Sequence, residues 1–142
     1  MRHVRLLTIL AAASMAASLA GCTSSSRQLT EMEDSQVNLR SIQSRAFDMT
    51  DKNGMLRTVI ATLQDFGYVL DKADEELGVI TATRLDGGTQ TITVTVRPRG
   101  ETQLLVRANL RRGRSAVTDI QVYQNFFTSL SKSIFLDAHL VE

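Results

Sequence analysis

The chain has no tryptophan, one proline, one cysteine and two histidines in 142 residues. Each scarcity excludes something. The lone cysteine, Cys22, cannot close an internal disulfide, so no disulfide framework holds the fold. Cys22, His3 and His139 are too few and too scattered for a zinc site built from Cys and His, and no metal or other cofactor is expected. A formal charge of +1 gives no grounds for a nucleic-acid partner taken over the whole chain. A hydrophobic share of 43% is ordinary for a globular protein and argues against wholesale disorder, and the length suits one domain.

The first 21 residues read as a removable leader rather than as part of the fold. Arg2, His3 and Arg5 form a short positive head, and Leu6 to Ala20 runs apolar. That run is shorter than the ~20 residues needed to span a bilayer, and Thr8, Ser14 and Ser18 dilute it. It closes on small residues. Leu19-Ala20-Gly21-Cys22 resembles the lipobox of bacterial lipoproteins, in which Leu19, Ala20 and Gly21 would be recognised by the signal peptidase. The resemblance implies cleavage before Cys22, a diacylglyceryl group on its sulfur and acylation of its new amine. The competing account is an ordinary secretory leader with an incidental cysteine. Each buried CH₂ contributes roughly 0.8 kcal/mol, so two or three acyl chains make anchoring effectively permanent. Thr23 follows the cysteine. By resemblance to lipoprotein sorting in diderm bacteria, a residue other than Asp there implies the periplasmic face of the outer membrane.

Residues 22–40 read as a lipidated cysteine followed by a flexible, extended or partly helical stalk, and 41–142 as the folded domain. Ile42 to Phe47 suits a short strand. Thr50 or Asp51 suits the cap of a helix starting near Asn53, with Leu56, Val59, Ile60, Leu63 and Phe66 on one face. Gly67 falls where a helix ends in the left-handed conformation. A strand begins at Tyr68, an acidic turn closes on Gly78, and Val79 to Arg84 is β-rich. Asp86-Gly87-Gly88 is a hairpin turn. Thr91 to Arg97 alternates strictly, with Ile92, Val94 and Val96 on one face and Thr91, Thr93 and Thr95 on the other. Pro98-Arg99-Gly100 turns the chain, and Gln103 to Arg111 alternates with Leu104, Val106, Ala108 and Leu110 inward. Thr118 and Gln121 suit a capping box for a final helix. Its stripe is Ile120, Tyr123, Phe127, Leu130, Ile134 and Ala138, widened by Phe126 and Phe135. The order β-α-β-β-β-β-α gives an α+β fold: an antiparallel sheet with two helices on one face, in two layers.

The segment "LQDFGYVLDKADEELGVITATR", residues 63–84, resembles the repeated element of the BamC family of outer-membrane lipoproteins. There a helix ends in Gly-aromatic, and a strand, an acidic turn and Gly-Val/Ile follow. Through "QSRAFD" (43–48), "LQDFGY" (63–68) and "YQNFFTSLSKSIFL" (123–136) the chain is also similar to small bacterial outer-membrane lipoproteins with one such domain. The resemblance implies a helix-grip fold and service to an envelope protein complex. BamC carries two domains after a long N-terminal segment, whereas this chain has one after a short stalk.

No constellation for catalysis stands out, and no enzymatic activity is expected. Asp137 and His139 are two residues apart, on different sides of a helix, and no Gly-x-Ser-x-Gly elbow exists. Asp74, Glu75 and Glu76 lack the alternating oxygen ligands of a calcium loop and read as a solvated acidic tip. Gly87-Gly88 precedes no helix, so it is no phosphate cradle.

Charge is segregated. Residues 45–82 carry four basic and seven acidic side chains, and residues 84–114 carry seven arginines against two acids. Arg111, Arg112 and Arg114 cluster beyond the last strand. One account is solubility with a few surface ion pairs. The sharper one is that these three arginines dock an acidic partner surface or anionic lipid phosphate, since arginine's planar fork suits both. A non-enzymatic adaptor in an envelope complex is favoured, with an open edge at β1 or β2 as a docking strand; Tyr123, Phe126 and Phe127 could add an aromatic patch, with core packing the use expected of at least two. The alternative is a carrier holding a small apolar ligand or lipid between sheet and C-terminal helix. Mass spectrometry of native material is expected to show Cys22 as the N-terminal residue, bearing acyl groups. An intact leader or a free thiol there would contradict the anchor.

Overall fold

The two alternating stretches at 91–97 and 103–111 become the centre of the sheet because each carries one wholly apolar face. In the computed structural model, which describes residues 36–139, they form β4 (Thr89–Arg99) and β5 (Gln103–Arg112), preceded by β1 (Ser44–Phe47), β2 (Val69–Asp74) and β3 (Val79–Leu85). Helix α1 covers 36–42, α2 is Lys52–Asp65 and α3 is Ile120–His139; a two-residue strand, β6 (Ser115–Ala116), extends the sheet beside β5. Every pairing is antiparallel, in the order β1-β5-β4-β3-β2. The expected α+β, two-layer arrangement is what forms. Leu19, Ala20, Gly21, Cys22 and most of the expected stalk lie outside the described residues, while its last part, 36–40, is helical.

Helix α2 starts and stops where local chemistry dictates. Asp51 is the N-cap, its Oδ1 accepting from Gly54 N at 2.9 Å. Thr58 and Thr62 would strand buried hydroxyls, but each donates back to a carbonyl one turn earlier, Gly54 O at 3.0 Å and Thr58 O at 2.8 Å. The helix closes in a Schellman motif. Tyr68 N bonds Leu63 O, Gly67 N bonds Gln64 O, and Gly67 takes the φ of +76° that the motif needs. Gly78 is fixed more tightly. Its φ is +66°, Val96 N donates to its carbonyl at 2.8 Å, and a Cβ there would collide with the Val96 carbonyl oxygen.

The core sits between the helices and one face of the sheet. Ile80 and Ala82 from β3, Ile92, Val94 and Val96 from β4, and Leu104, Val106, Ala108 and Leu110 from β5 all point into it. Met55, Leu56, Val59 and Leu63 of α2 and Tyr123, Phe126, Phe127 and Leu130 of α3 complete it. Every buried apolar residue of the core lies between Met55 and Leu130 and every strand pairing between Ser44 and Ala116, so this segment carries its own core.

Four expectations need correction. Pro98 and Arg99 stay in β4, and the turn is 100–102. Proline is tolerated there because β3 has ended: its last partner on β4 is Thr95, so the missing N–H breaks no ladder bond. Asp119, not Thr118, caps α3: its Oδ1 accepts from Gln121 N at 2.9 Å, and the Gln121 side chain turns to Asn125 instead of closing a capping box. Ile120 and Phe135 are 50% and 63% exposed, so the α3 stripe is narrower than its periodicity suggested. Tyr123, Phe126 and Phe127 are core residues, not a surface patch.

The Tyr123 hydroxyl ties four segments together. It accepts from Gln43 Nε2 at 3.1 Å and from Leu110 N at 3.2 Å, and donates to Val117 O at 2.8 Å. Gln43 is itself buried, and its carbonyl accepts from Ala108 N at 2.9 Å. Removing the hydroxyl leaves buried donors unpaired, at about 1 kcal/mol or more for each bond lost. Tyr123→Phe is expected to lower unfolding free energy by about 2–4 kcal/mol with an unchanged denaturant slope. A loss below about 0.5 kcal/mol would mean that the hub is not structural.

Candidate functional site

Strict alternation that fills one face of the sheet leaves the other to polar residues. No helix among the described residues covers that second face. On β4 it presents Thr91, Thr93, Thr95, Arg97 and Arg99; on β5 Leu105, Arg107, Asn109 and Arg111; on β3 Val79, Thr81, Thr83 and Leu85. Pairing puts Thr81 beside Thr93, Thr83 beside Thr91, Thr95 beside Arg107, and Thr91 beside Arg111. The β4 and β5 side chains line a shallow trough of about 570 Å³.

Three arginines, Arg97, Arg107 and Arg111, line the trough, and a fourth, Arg99, shares their phase at the end of β4. Arg97 and Arg107 are diagonal neighbours across β4 and β5, which places their Cβ atoms roughly 7–8 Å apart. Arg111 follows Arg107 on the same edge of β5, roughly 13 Å further along the strand. Among the described residues the ion pairs are Arg57–Asp51 and Arg84–Asp86, each at 4.0 Å, and neither belongs to this face. Arg45 lies over the Phe127 ring on the covered side, 5.0 Å from its centroid. The Arg111 guanidinium donates to the Arg114 carbonyl at 2.8 Å, which positions it without neutralising it. Acids reach only the rim: Asp71 accepts from Thr83 Oγ1 at 2.7 Å, and Asp48 accepts from Gln103 Nε2.

The three arginines singled out in sequence do not form one cluster. Arg111 belongs to the open face. Arg112, its neighbour in the strand, points to the opposite side, beside Tyr68. Arg114 sits exposed in the turn between β5 and β6. Arg97 and Arg107, which share the open face with Arg111, are not among those three. Their signal was present: both share the phase of the threonines and oppose the phase of the apolar residues. Combining them across strands required the β4–β5 register, which the displaced turn at 100–102 sets.

Such a surface is chemically suited to anions. Guanidinium forks and threonine hydroxyls are donors suited to carboxylate or phosphate oxygens. No aromatic side chain lies on it, so it offers no stacking platform for single-stranded nucleic acid. Among the described residues no three His, Cys, Asp or Glu side chains are grouped to hold a metal ion. No helix there is long and apolar enough to cross a membrane. The sheet edges are β1 and β2. Strand β2 is almost wholly exposed but carries a bulge at Asp71 and the charge of Lys72, devices that discourage strand addition. The chain matches no protein-family model and no curated protein.

Proposed function

We propose that this protein is a lipid-anchored lipoprotein on the periplasmic face of the outer membrane. It acts as a non-enzymatic adaptor, and the uncovered arginine–threonine face holds an acidic surface of an envelope protein complex. The observation that carries this reading is the trio Arg97, Arg107 and Arg111, exposed on one sheet face with no carboxylate of the described residues within ion-pair distance. Three like charges on one face repel each other, and an acidic partner turns that cost into complementarity. The lipobox-like Leu19-Ala20-Gly21-Cys22 supports the anchor.

Tether and face suit each other. A face with arginines but no aromatic anchor has only part of what usually dominates protein affinity, so docking from free solution would be weak. Confinement to a membrane surface raises the effective concentration of a partner in the same membrane toward the millimolar range, where weak docking suffices. A carrier of whole lipids is less well supported. The recess between sheet and α3 holds about 250 Å³, at the small end of ligand pockets and too little for a diacyl lipid.

The test replaces Arg97, Arg107 and Arg111 together by Gln in the full chain, with Arg57→Gln as the control on the far side. Envelopes are solubilised gently and copurifying proteins quantified at low and high salt. The triple variant is expected to lose its partner at least tenfold while still fractionating with the outer membrane, and Arg57→Gln is expected to retain it. An unchanged partner set in the triple variant would refute the docking face.

A further inference from the structure

At one end of the covered side of the sheet the apolar rows stop and a polar row begins. Beyond Ala82, Ile92 and Leu110 come Arg84, Gln90 and Arg112, one on each of three adjacent strands. The Arg84 guanidinium is held in place from three directions. Nη1 donates to Phe66 O at 2.9 Å, Nη2 donates to Gln90 Oε1 at 3.0 Å, and Cζ lies 5.0 Å from the centre of the Tyr68 ring. Gln90 is buried and also accepts from the Tyr68 hydroxyl at 3.4 Å. The Nε–H of Arg84 is buried with no hydrogen-bond partner.

This group borders the 250 Å³ recess. Its walls include Ile92, Leu110 and Phe126, all buried; Val122 and Asn125 stand at the exposed rim. Charge there is unbalanced. Among the described residues Arg84 makes one ion pair, to the 74% exposed Asp86 at 4.0 Å, and Arg112 makes none. Burial raises the pKa of Tyr68 while both guanidiniums pull it down, which places the two positive charges beside the same partly dry ring.

We propose that the recess binds a monocarboxylate with a short apolar body, its head on Arg84 and its body against Ile92, Leu110 and Phe126. The cation is already oriented, so a ligand spends little on ordering it. The Arg84 head lines the recess, and a carboxylate there gains a charge-assisted hydrogen bond from it. The walls are apolar, which favours a hydrocarbon body over water. The volume admits roughly eight groups the size of a water molecule, which suits a medium-length chain and excludes a diacyl lipid. A monoanion is preferred to a phosphate monoester: Arg84 lines the recess and Arg112 does not, so a second negative charge would be desolvated against those walls without a partner there. This site is separate from the open face and does not depend on the adaptor reading.

The test is calorimetric titration of the chain from Thr23 to Glu142 with octanoate, octan-1-ol and octylamine, below their aggregation limits. Octanoate is expected to bind saturably at one site, with the alcohol and the amine at least tenfold weaker. Val122→Trp, which fills the recess from its exposed rim, is expected to abolish binding while the protein remains folded. Arg84→Gln is expected to weaken octanoate at least tenfold and leave octan-1-ol unchanged. No saturable octanoate binding, equal binding of the alcohol, or octanoate binding undiminished by Val122→Trp would overturn the site.

Discussion

A single phenol hydroxyl decides how this sheet is covered. Tyr123 on α3 is hydrogen-bonded at once to the start of the domain at Gln43, to the end of β5 at Leu110 and to the segment after β6 at Val117. These bonds pin the N-terminal half of α3 over the end of β5. From there Phe127 and Leu130 fall in helical step onto the same apolar face. Net worth per hydrogen bond is modest, but unpaired buried donors are expensive, so the alternative placements of α3 are penalised more than this one is rewarded. The polar hub thus selects a position, and the surrounding apolar burial provides the bulk of the stability.

With both long helices committed to one side, the other side of a strictly alternating sheet is left to its threonines and arginines. A two-layer fold permits this, since threonine suits a half-buried pleated surface and arginine solvates its head while its stem packs along it. Solvation alone would be served equally well by lysine and acid in alternation. Arginines gathered without acids have a more specific use, the planar recognition of an anionic surface. The covered side shows the same chemistry on a smaller scale at Arg84, where the guanidinium is fixed by Phe66 and Gln90 and the hydrocarbon walls are close.

Much of the fold was legible because local signals and the global pattern agree. Gly67 between an amphipathic run and Tyr68 marks a Schellman end, and the apolar phase of β4 and β5 places Val94, Val96, Leu104 and Val106 inward without any tertiary information. What stayed hidden was set between segments. Periodicity alone assigned Ile120 and Phe135 to the buried stripe, but both lie outside the Tyr123-to-Leu130 stretch of α3 that is buried in the core. Asp119 outcompetes Thr118 as a cap because its oxygen reaches Gln121 N, a matter of where the chain leaves β6. The site was half legible. Arg111 was found by clustering in sequence, whereas Arg97 and Arg107 join it only through cross-strand pairing, and Arg112 is removed from it by the two-residue period of a strand.

The central claim is that this open face meets a protein partner in the envelope. The most direct measurement is site-specific photocrosslinking in living cells, with the photoreactive side chain at Thr93 in the middle of the face and, separately, at Gln124 on the exposed side of α3. The account predicts a discrete protein adduct from position 93, suppressed when Arg97 and Arg107 are made Gln, and none from position 124. An adduct from position 124 with none from 93 would contradict it.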